Sequence, residues 1–433
     1  MDRNSITYQT YLKILERELV CAMGCTEPIA LAYCAAAARS TLGALPDRIK
    51  VEASGNIIKN VKSVVVPNTG GRCGIAAAAA IGVLGGDENA KLQVISNVPE
   101  ETIGQLGAYL EQTDIKVSLL ESDCLLDMIV TVFHGDSCAS VRIANEHTNI
   151  VKIKKDHTVL FEKAVSGAGE GSKGEGEEEE KIPDYSLLTV KEIYDFACTC
   201  NLEDVEPVLS RQIEMNTAIS DEGLRHDYGA NIGKVLLKTG NDIRTRAKAR
   251  AAAGSDARMN GCSLPVVICS GSGNQGMTAS LPVIEYAKEL HADQDRLYRA
   301  LLISNLVTLH AKSGIGRLSA YCGAVSAGAG AGAGIAFLHG GDEKDLSHTI
   351  VNTLAISSGI VCDGAKSSCA AKIALAVETG IFGFEMYRNG QQFYGGDGLV
   401  VKGVENSINN FSRLGRIGMR ETDHEILLMM TER

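Results

Sequence analysis

Residues Leu318 to Leu338 read LSAYCGAVSAGAGAGAGIAFL, a stretch without one charged side chain. Its length meets the requirement for a membrane-spanning helix. Its chemistry does not, because Gly, Ala and Ser gain little from hydrocarbon. Arg317 and His339 bound it, and no second comparable stretch exists. The segment therefore reads as a helix at the centre of a helical bundle, with glycines that admit neighbouring backbones closely.

Working outward, the pattern is helical almost throughout from residue 182. Thr189 to Glu192 has the capping-box form Thr-x-x-Glu at the start of a helix. Further helices are expected at Val205–Ala218, Leu224–Lys238, Ile243–Ala253, Thr278–Leu290, Gln294–His310, Asp345–Ile356 and Ser368–Thr379. Upstream the chain alternates. Tyr8–Val20 and Pro28–Ser40 have helical spacing, as do Cys73–Leu84 and Glu100–Gln112. Strands are expected at Ile49–Glu52, Ile57–Lys59, Val61–Val66, Ile115–Leu119, Asp127–Phe133, Ser140–Ile143, Ile150–Ile153 and Val159–Phe161. Between the halves lies SGAGEGSKGEGEEEEK, Ser166 to Lys181, which has no apolar face to bury and reads as a solvated linker. The fold class is therefore α+β: an N-terminal α+β domain (1–165), an acidic linker (166–181) and a mostly helical domain (182–433).

The chain has 433 residues, with 42 basic and 53 acidic side chains for a net charge of −11. This balance disfavours a nucleic-acid or acidic-membrane surface. The absence of Trp disfavours a base-stacking platform. Residues Met1–Glu16 have no apolar signal core and are read as mature cytoplasmic sequence. The thirteen cysteines are then expected as free thiols. Cys34, Cys124, Cys138, Cys198 and Cys200 read as small buried hydrophobes. The basic run Lys238, Arg244, Arg246, Lys248 and Arg250 reads as a solvated helix face.

Three constellations carry chemistry. Gly271-Ser272-Gly273-Asn274-Gln275-Gly276 fits G-x-G-x-x-G, but no second strand with a terminal acid follows it, and Pro282 is expected to interrupt the next helix. A turn that binds a small carboxylate through backbone N–H groups and polar side chains fits better than a dinucleotide site. Gly24-Cys25-Thr26-Glu27-Pro28 places Cys25 at a helix N-terminus, which favours a thiolate; a helix cap with an inert cysteine is the competing reading. Pro67-Asn68-Thr69-Gly70-Gly71 is a second polar turn before a helix. Cys322, Cys362 and Cys369 lie on separate glycine-rich segments and contain no C-x-x-C pair, so a zinc ribbon is excluded. Spacing alone leaves them as buried thiols or as three ligands of an iron–sulfur cubane.

Together, Cys25-Thr26-Glu27-Pro28, the Gly271–Gly276 turn and the Cys322, Cys362, Cys369 spacing resemble the L-cysteine desulfidase family. That family is related to iron–sulfur L-serine dehydratases through their α-chain domain. The likeness covers nearly the whole chain, with 166–181 as an apparent insertion. It implies a [4Fe-4S] cluster on Cys322, Cys362 and Cys369, and elimination from a small amino acid without pyridoxal phosphate. A soft iron with an open position is a Lewis acid for a leaving thiol or hydroxyl. Cys25 and Glu27 are then the expected catalytic residues, with a Cys25 thiolate taking the α-proton. Thr26, Asn68, Thr69, Ser272, Gly273, Asn274 and Gln275 are the expected substrate-binding residues.

The expected reaction is L-cysteine to hydrogen sulfide, pyruvate and ammonia. Serine dehydration is the near alternative, and a non-catalytic iron–sulfur sensor is another. A pyridoxal phosphate lyase would use Lys312 or Lys366, but neither has a phosphate motif beside it. The reading is compatible with a homo-oligomer and expects no nucleic acid or membrane as partner.

Overall fold

A computed structural model describes residues 1–165 and 182–431; the acidic linker expected at 166–181 lies outside them. The N-terminal part runs α1 (Ile6–Glu18), β1 (Cys21–Met23), α2 (Thr26–Leu42), β2 (Arg48–Ala53), α3 (Gly55–Val61), α4 (Gly74–Gly85), α5 (Glu100–Gln112) and β3 (Asp114–Leu119). It closes with β4 (Asp127–His134), β5 (Ser137–Ala144), β6 (Ile150–Lys155) and β7 (Thr158–Glu162). The remainder is α6 (Val190–Thr199), α7 (Glu206–Arg225), α8 (Ile232–Thr239), α9 (Ile243–Met259), β8 (Pro265–Val267), α10 (Gly273–Glu289) and α11 (Gln294–Ser313). Then follow α12 (Gly323–Leu338), α13 (Glu343–Ser357), α14 (Cys369–Arg388), α15 (Val404–Arg413) and α16 (Arg420–Thr431). The fold is α+β, with a helical C-terminal region.

Six strands form one sheet in the order β3-β2-β4-β5-β6-β7, parallel between β2 and β3 and antiparallel elsewhere. Alternation sets its buried face: Met128, Val130 and Val132 point inward from β4, and Val141 and Ile143 from β5. The alanine-rich α2 packs on that face and against α4. The approach is close enough that a Cβ on Gly82 would fall on the Ala32 backbone.

The Gly/Ala helix α12 lies buried at the centre of the helical region, between α11 and α14. Its glycines alternate by face. Gly330 and Gly334 stand against the carbonyls of Ser304 and Ala300 on α11. Gly328 and Gly332 stand against those of Ala376 and Gly380 on α14. A side chain at any of the four would force helices apart, which explains the G-A-G-A pattern. Among the described residues no helix is long and apolar enough to cross a membrane.

The two regions share one apolar core. β1 pairs antiparallel with β8. Tyr8 and Tyr11 of α1 meet Phe196 of α6 edge-on at 5.1 and 5.2 Å, contacts worth about 0.5–1.5 kcal/mol each. The Tyr8 hydroxyl donates to Asp204 at 2.6 Å.

Several local expectations fail for tertiary reasons. Residues 57–61 are helical, not a strand, and Val65 makes only isolated bridges to Cys73 and Asn260. The helix expected at Leu224–Lys238 is broken by an extended segment at His226 and a left-handed Asn231. Pro282 does not interrupt α10, which continues through it. The basic residues of α9 are not a solvated face. Arg244 and Lys248 pair with Glu378, Arg246 with Glu289, and Arg250 with Asp221, so they bridge α9 to α14, α10 and α7.

Candidate active site

The N-terminal ends of four helices meet at one cavity. Cys25 caps α2, Ser272 caps α10, Cys322 caps α12 and Cys369 is the first residue of α14; all four line the cavity. Each end contributes the partial positive charge of a helix N-terminus, so the site favours anions. Two of these ends depend on glycines. Gly24 has φ +53°, and a Cβ there would lie 2.5 Å from Pro67 Cγ. A Cβ on Gly276 would strike the Val267 carbonyl where α10 crosses β8.

Cys322, Cys362 and Cys369 line the same cavity. Cys322 lies at the N-cap of α12 rather than within it. Its N–H donates to the Ile360 carbonyl at 3.1 Å, and the Cys362 N–H donates to the Ala320 carbonyl at 2.6 Å. This short antiparallel pairing brings together two cysteines far apart in sequence. Gly364, at φ +91°, turns the chain against the Lys59 carbonyl and leads on to Cys369. Burial, then neighbouring Cys362, pushes the Cys322 thiol up to about 12, and burial raises Cys369 as well. Such thiols ionise when a metal replaces the proton.

Among the described residues, no three or more His, Cys, Asp or Glu side chains stand close enough to hold a single metal ion. A polynuclear cluster is larger and spaces its cysteine ligands more widely. Three thiols from separate segments at an anion-favouring site fit such a cluster.

In the same cavity, the Cys25 thiol donates to Glu27 Oε2 at 3.0 Å, and Asn60 Nδ2 donates to Glu27 Oε1 at 3.2 Å. The Cys25 expectation needs correction. Complete burial and the Glu27 carboxylate raise its pKa well above the ordinary thiol value, outweighing the helix N-terminus and Arg258. Cys25 is therefore a thiol at neutral pH, not a resting thiolate. For Glu27, burial acts to raise the pKa, but His147 and the Cys25 thiol outweigh it and hold the carboxyl down at about 2. His147 Nε2 lies 4.0 Å from Glu27 Oε1, an electrostatic contact longer than a hydrogen bond.

The cavity is also cationic. Arg317 pairs with Glu18, and Lys372 with Asp363. Lys312 is buried with no carboxylate partner among the described residues, and burial lowers its pKa to about 8. Four lining groups have a buried polar atom with no hydrogen-bond partner: Arg258 Nε and Nη2, His147 Nε2, Gln275 Oε1 and Tyr321 Oη.

Not every expected substrate contact lies here. Ser272, Asn274 and Gln275 line the cavity. Thr26 does not; its hydroxyl donates to the Gly271 carbonyl at 2.9 Å and so fixes the glycine turn to α2. Gly273 contributes space rather than contact, because a Cβ there would lie 2.7 Å from Arg258 Cζ. Asn68 and Thr69 are corrections. Asn68 Nδ2 donates to the Ile95 carbonyl at 2.8 Å, and the Thr69 hydroxyl to the Val66 carbonyl at 2.6 Å. Thr69 is spent inside the turn that places Pro67 over Gly24, while Asn68 ties that turn to residues 95 and 96 and lines a separate pocket.

With this geometry in view, residues 136–428 match the serine dehydratase alpha chain family. The chain belongs to that family. The match covers Cys322, Cys362, Cys369, Arg258 and His147, whereas Cys25 and Glu27 precede it. The chain is also 57% identical to a UPF0597 protein of Desulfitobacterium hafniense, over 99% of this chain and 98% of that one. It is 50% identical to a UPF0597 protein of Lachnoclostridium phytofermentans (98% and 99%) and 46% identical to one of Finegoldia magna (98% and 100%). Membership relates this serine dehydratase-like chain to lyases of the ammonia-lyase type.

Proposed function

We propose that this protein is a pyridoxal-phosphate-independent lyase that converts L-cysteine and water to hydrogen sulfide, pyruvate and ammonia. The observation that carries the reading is the single cavity shared by Cys322, Cys362, Cys369 and the Cys25–Glu27 pair. Membership of the serine dehydratase alpha chain family supports an iron–sulfur enzyme of this type.

Cys322, Cys362 and Cys369 would hold a [4Fe-4S] cluster, which when bound supplies a Lewis-acidic iron for the leaving β-substituent. The protein's own residues supply the rest. The α-proton passes to Cys25 Sγ as the Cys25 proton moves to Glu27 Oε2, so the pair acts as a relay rather than as a free thiolate. Asn60 and His147 keep the Glu27 carboxylate in place through the step. The Cα–H and Cβ–S bonds break, sulfur leaves as hydrosulfide, and 2-aminoacrylate remains. Tautomerisation and water then give pyruvate and ammonia, with no net oxidation or reduction. A soft iron held by these three thiols would match a thiolate leaving group better than hydroxide, and the reading therefore favours cysteine.

L-serine is the second reading, favoured by the family match itself. Anaerobic purification with iron and sulfide analysis, followed by assay of both amino acids, tests the proposal. A cluster and a larger kcat/KM for L-cysteine are expected. A larger value for L-serine makes the protein a serine dehydratase, and a loaded protein that turns over neither supports a sensor.

A further inference from the structure

Arg258, in the last turn of α9, is among the largest fully buried side chains, only 2% exposed. Nη1 donates to Asn274 Oδ1 at 3.2 Å. Nε and Nη2 have no partner, and among the described residues no carboxylate lies within ion-pair distance. These two nitrogens form the side edge of the guanidinium, with parallel N–H bonds that match the two oxygens of a carboxylate. A buried guanidinium with this edge unpaired is costly unless a ligand pairs with it.

The surroundings are built around these side chains. Gly273 leaves the room that Arg258 occupies, and Gly323 does the same for Gln275, since a Cβ there would lie 2.6 Å from Gln275 Cδ. Gln275 is 6% exposed, and its Oε1 is an unmatched acceptor on the same cavity wall. Arg317 and Lys372 are already neutralised by carboxylates; of the two cavity cations left without one among the described residues, Arg258 and Lys312, only Arg258 offers a planar two-point edge to a carboxylate. Next to Arg258, Met259 packs with Cys25 and Cys369, two of the thiols that line the cavity.

We propose that the Nε/Nη2 edge of Arg258 binds the carboxylate of the substrate, with Gln275 Oε1 accepting from its ammonium group. The ligand class is a small free α-amino acid, as distinct from an amine or an esterified acid. The inference rests on the lyase reading for the cavity's identity and adds the residues that select its substrate.

The test uses anaerobically purified full-length protein and calorimetric binding of L-alanine, which has both charged groups but no leaving group. Ethylamine and L-alanine methyl ester lack the carboxylate and should bind at least about 100-fold more weakly. Arg258→Gln should weaken L-alanine by a similar factor, and Arg258→Lys by less, with iron content and melting temperature held near wild type. Equal affinity of the wild type for acid and ester would overturn the clamp, even if no variant folds. So would Arg258→Gln that binds L-alanine normally, or that loses iron while L-alanine binding persists. The two readings fail separately. Arg258-dependent L-alanine binding in protein that turns over neither cysteine nor serine supports the clamp and removes the lyase. Turnover at an unchanged KM in Arg258→Gln removes the clamp and keeps the lyase.

Discussion

The Cys25 thiol and the Glu27 carboxylate, two residues apart at the start of α2, form a closed hydrogen-bonded pair 3.0 Å long inside the cavity. The carboxylate holds the proton on sulfur at rest, so neither residue alone is a competent base. Removing either should break the relay. Cys25→Ser keeps the geometry but replaces a thiol with a far weaker acid. Glu27→Gln keeps the shape but removes the proton acceptor. Each should lower kcat by at least about 100-fold while iron content stays near wild type. Loss of the cluster in Cys25→Ser would instead make Cys25 an iron ligand.

The other three cavity cysteines should behave differently. Cys322→Ser, Cys362→Ser and Cys369→Ser each replace a soft ligand with a hard one, and each should lose most iron and sulfide. Cys34→Ser and Cys138→Ser are the controls. Cys34 is buried in α2, where its thiol meets the Val141 carbonyl, and Cys138 lies on β5. Both controls should keep their iron. Unchanged iron in any of the first three would dismiss that residue as a ligand.

The sheet strands and the central Gly/Ala helix were legible because alternation and small-residue periodicity are local signals. The cysteine trio was legible only through its resemblance to a family, since its segments meet by a backbone pairing that no spacing reveals. Asn68 and Thr69 misled because a polar glycine-rich turn looks the same whether it binds substrate or supports a neighbour. Arg258 was missed for a subtler reason. It follows the paired basic residues of α9, yet stands beyond Ala251, Ala252, Ala253 and Ala257, all buried. A charge among alanines on a buried helix is the signal that could have found it. His147 lies on a loop after β5, and no local pattern aims a loop histidine at Glu27.

The glycine faces of α12 give a stability prediction independent of chemistry. Gly330→Ala places a methyl group on the Ser304 carbonyl of α11, backbone that cannot yield cheaply, and on the Thr308 hydroxyl beside it. Greater helix propensity should return up to about 1 kcal/mol, whereas overpacking costs about 1–3 kcal/mol or more. The variant should therefore melt below wild type. Gly359→Ala, with nothing within 4 Å of the added atom, should not suffer that clash. Thermal unfolding followed by circular dichroism compares the two.

Acid should expose the role of Glu27 in stability as well as in catalysis. Its carboxyl titrates at about 2 in the folded protein against an ordinary value of 4.5. A depressed folded pKa means that the unfolded chain takes up the proton first as pH falls. The stabilisation is fully present above the unfolded value and is lost progressively as pH drops through the folded one. At neutral pH it is on the order of 3 kcal/mol. Glu27→Gln cannot titrate, so its stability should lack this part of the acid dependence. Denaturant unfolding of both proteins at stepwise lower pH should therefore show the wild-type curve falling more steeply below the ordinary carboxylate range. Parallel curves would mean that Glu27 is not held as a buried carboxylate, and the Cys25–Glu27 relay would lose its proton acceptor.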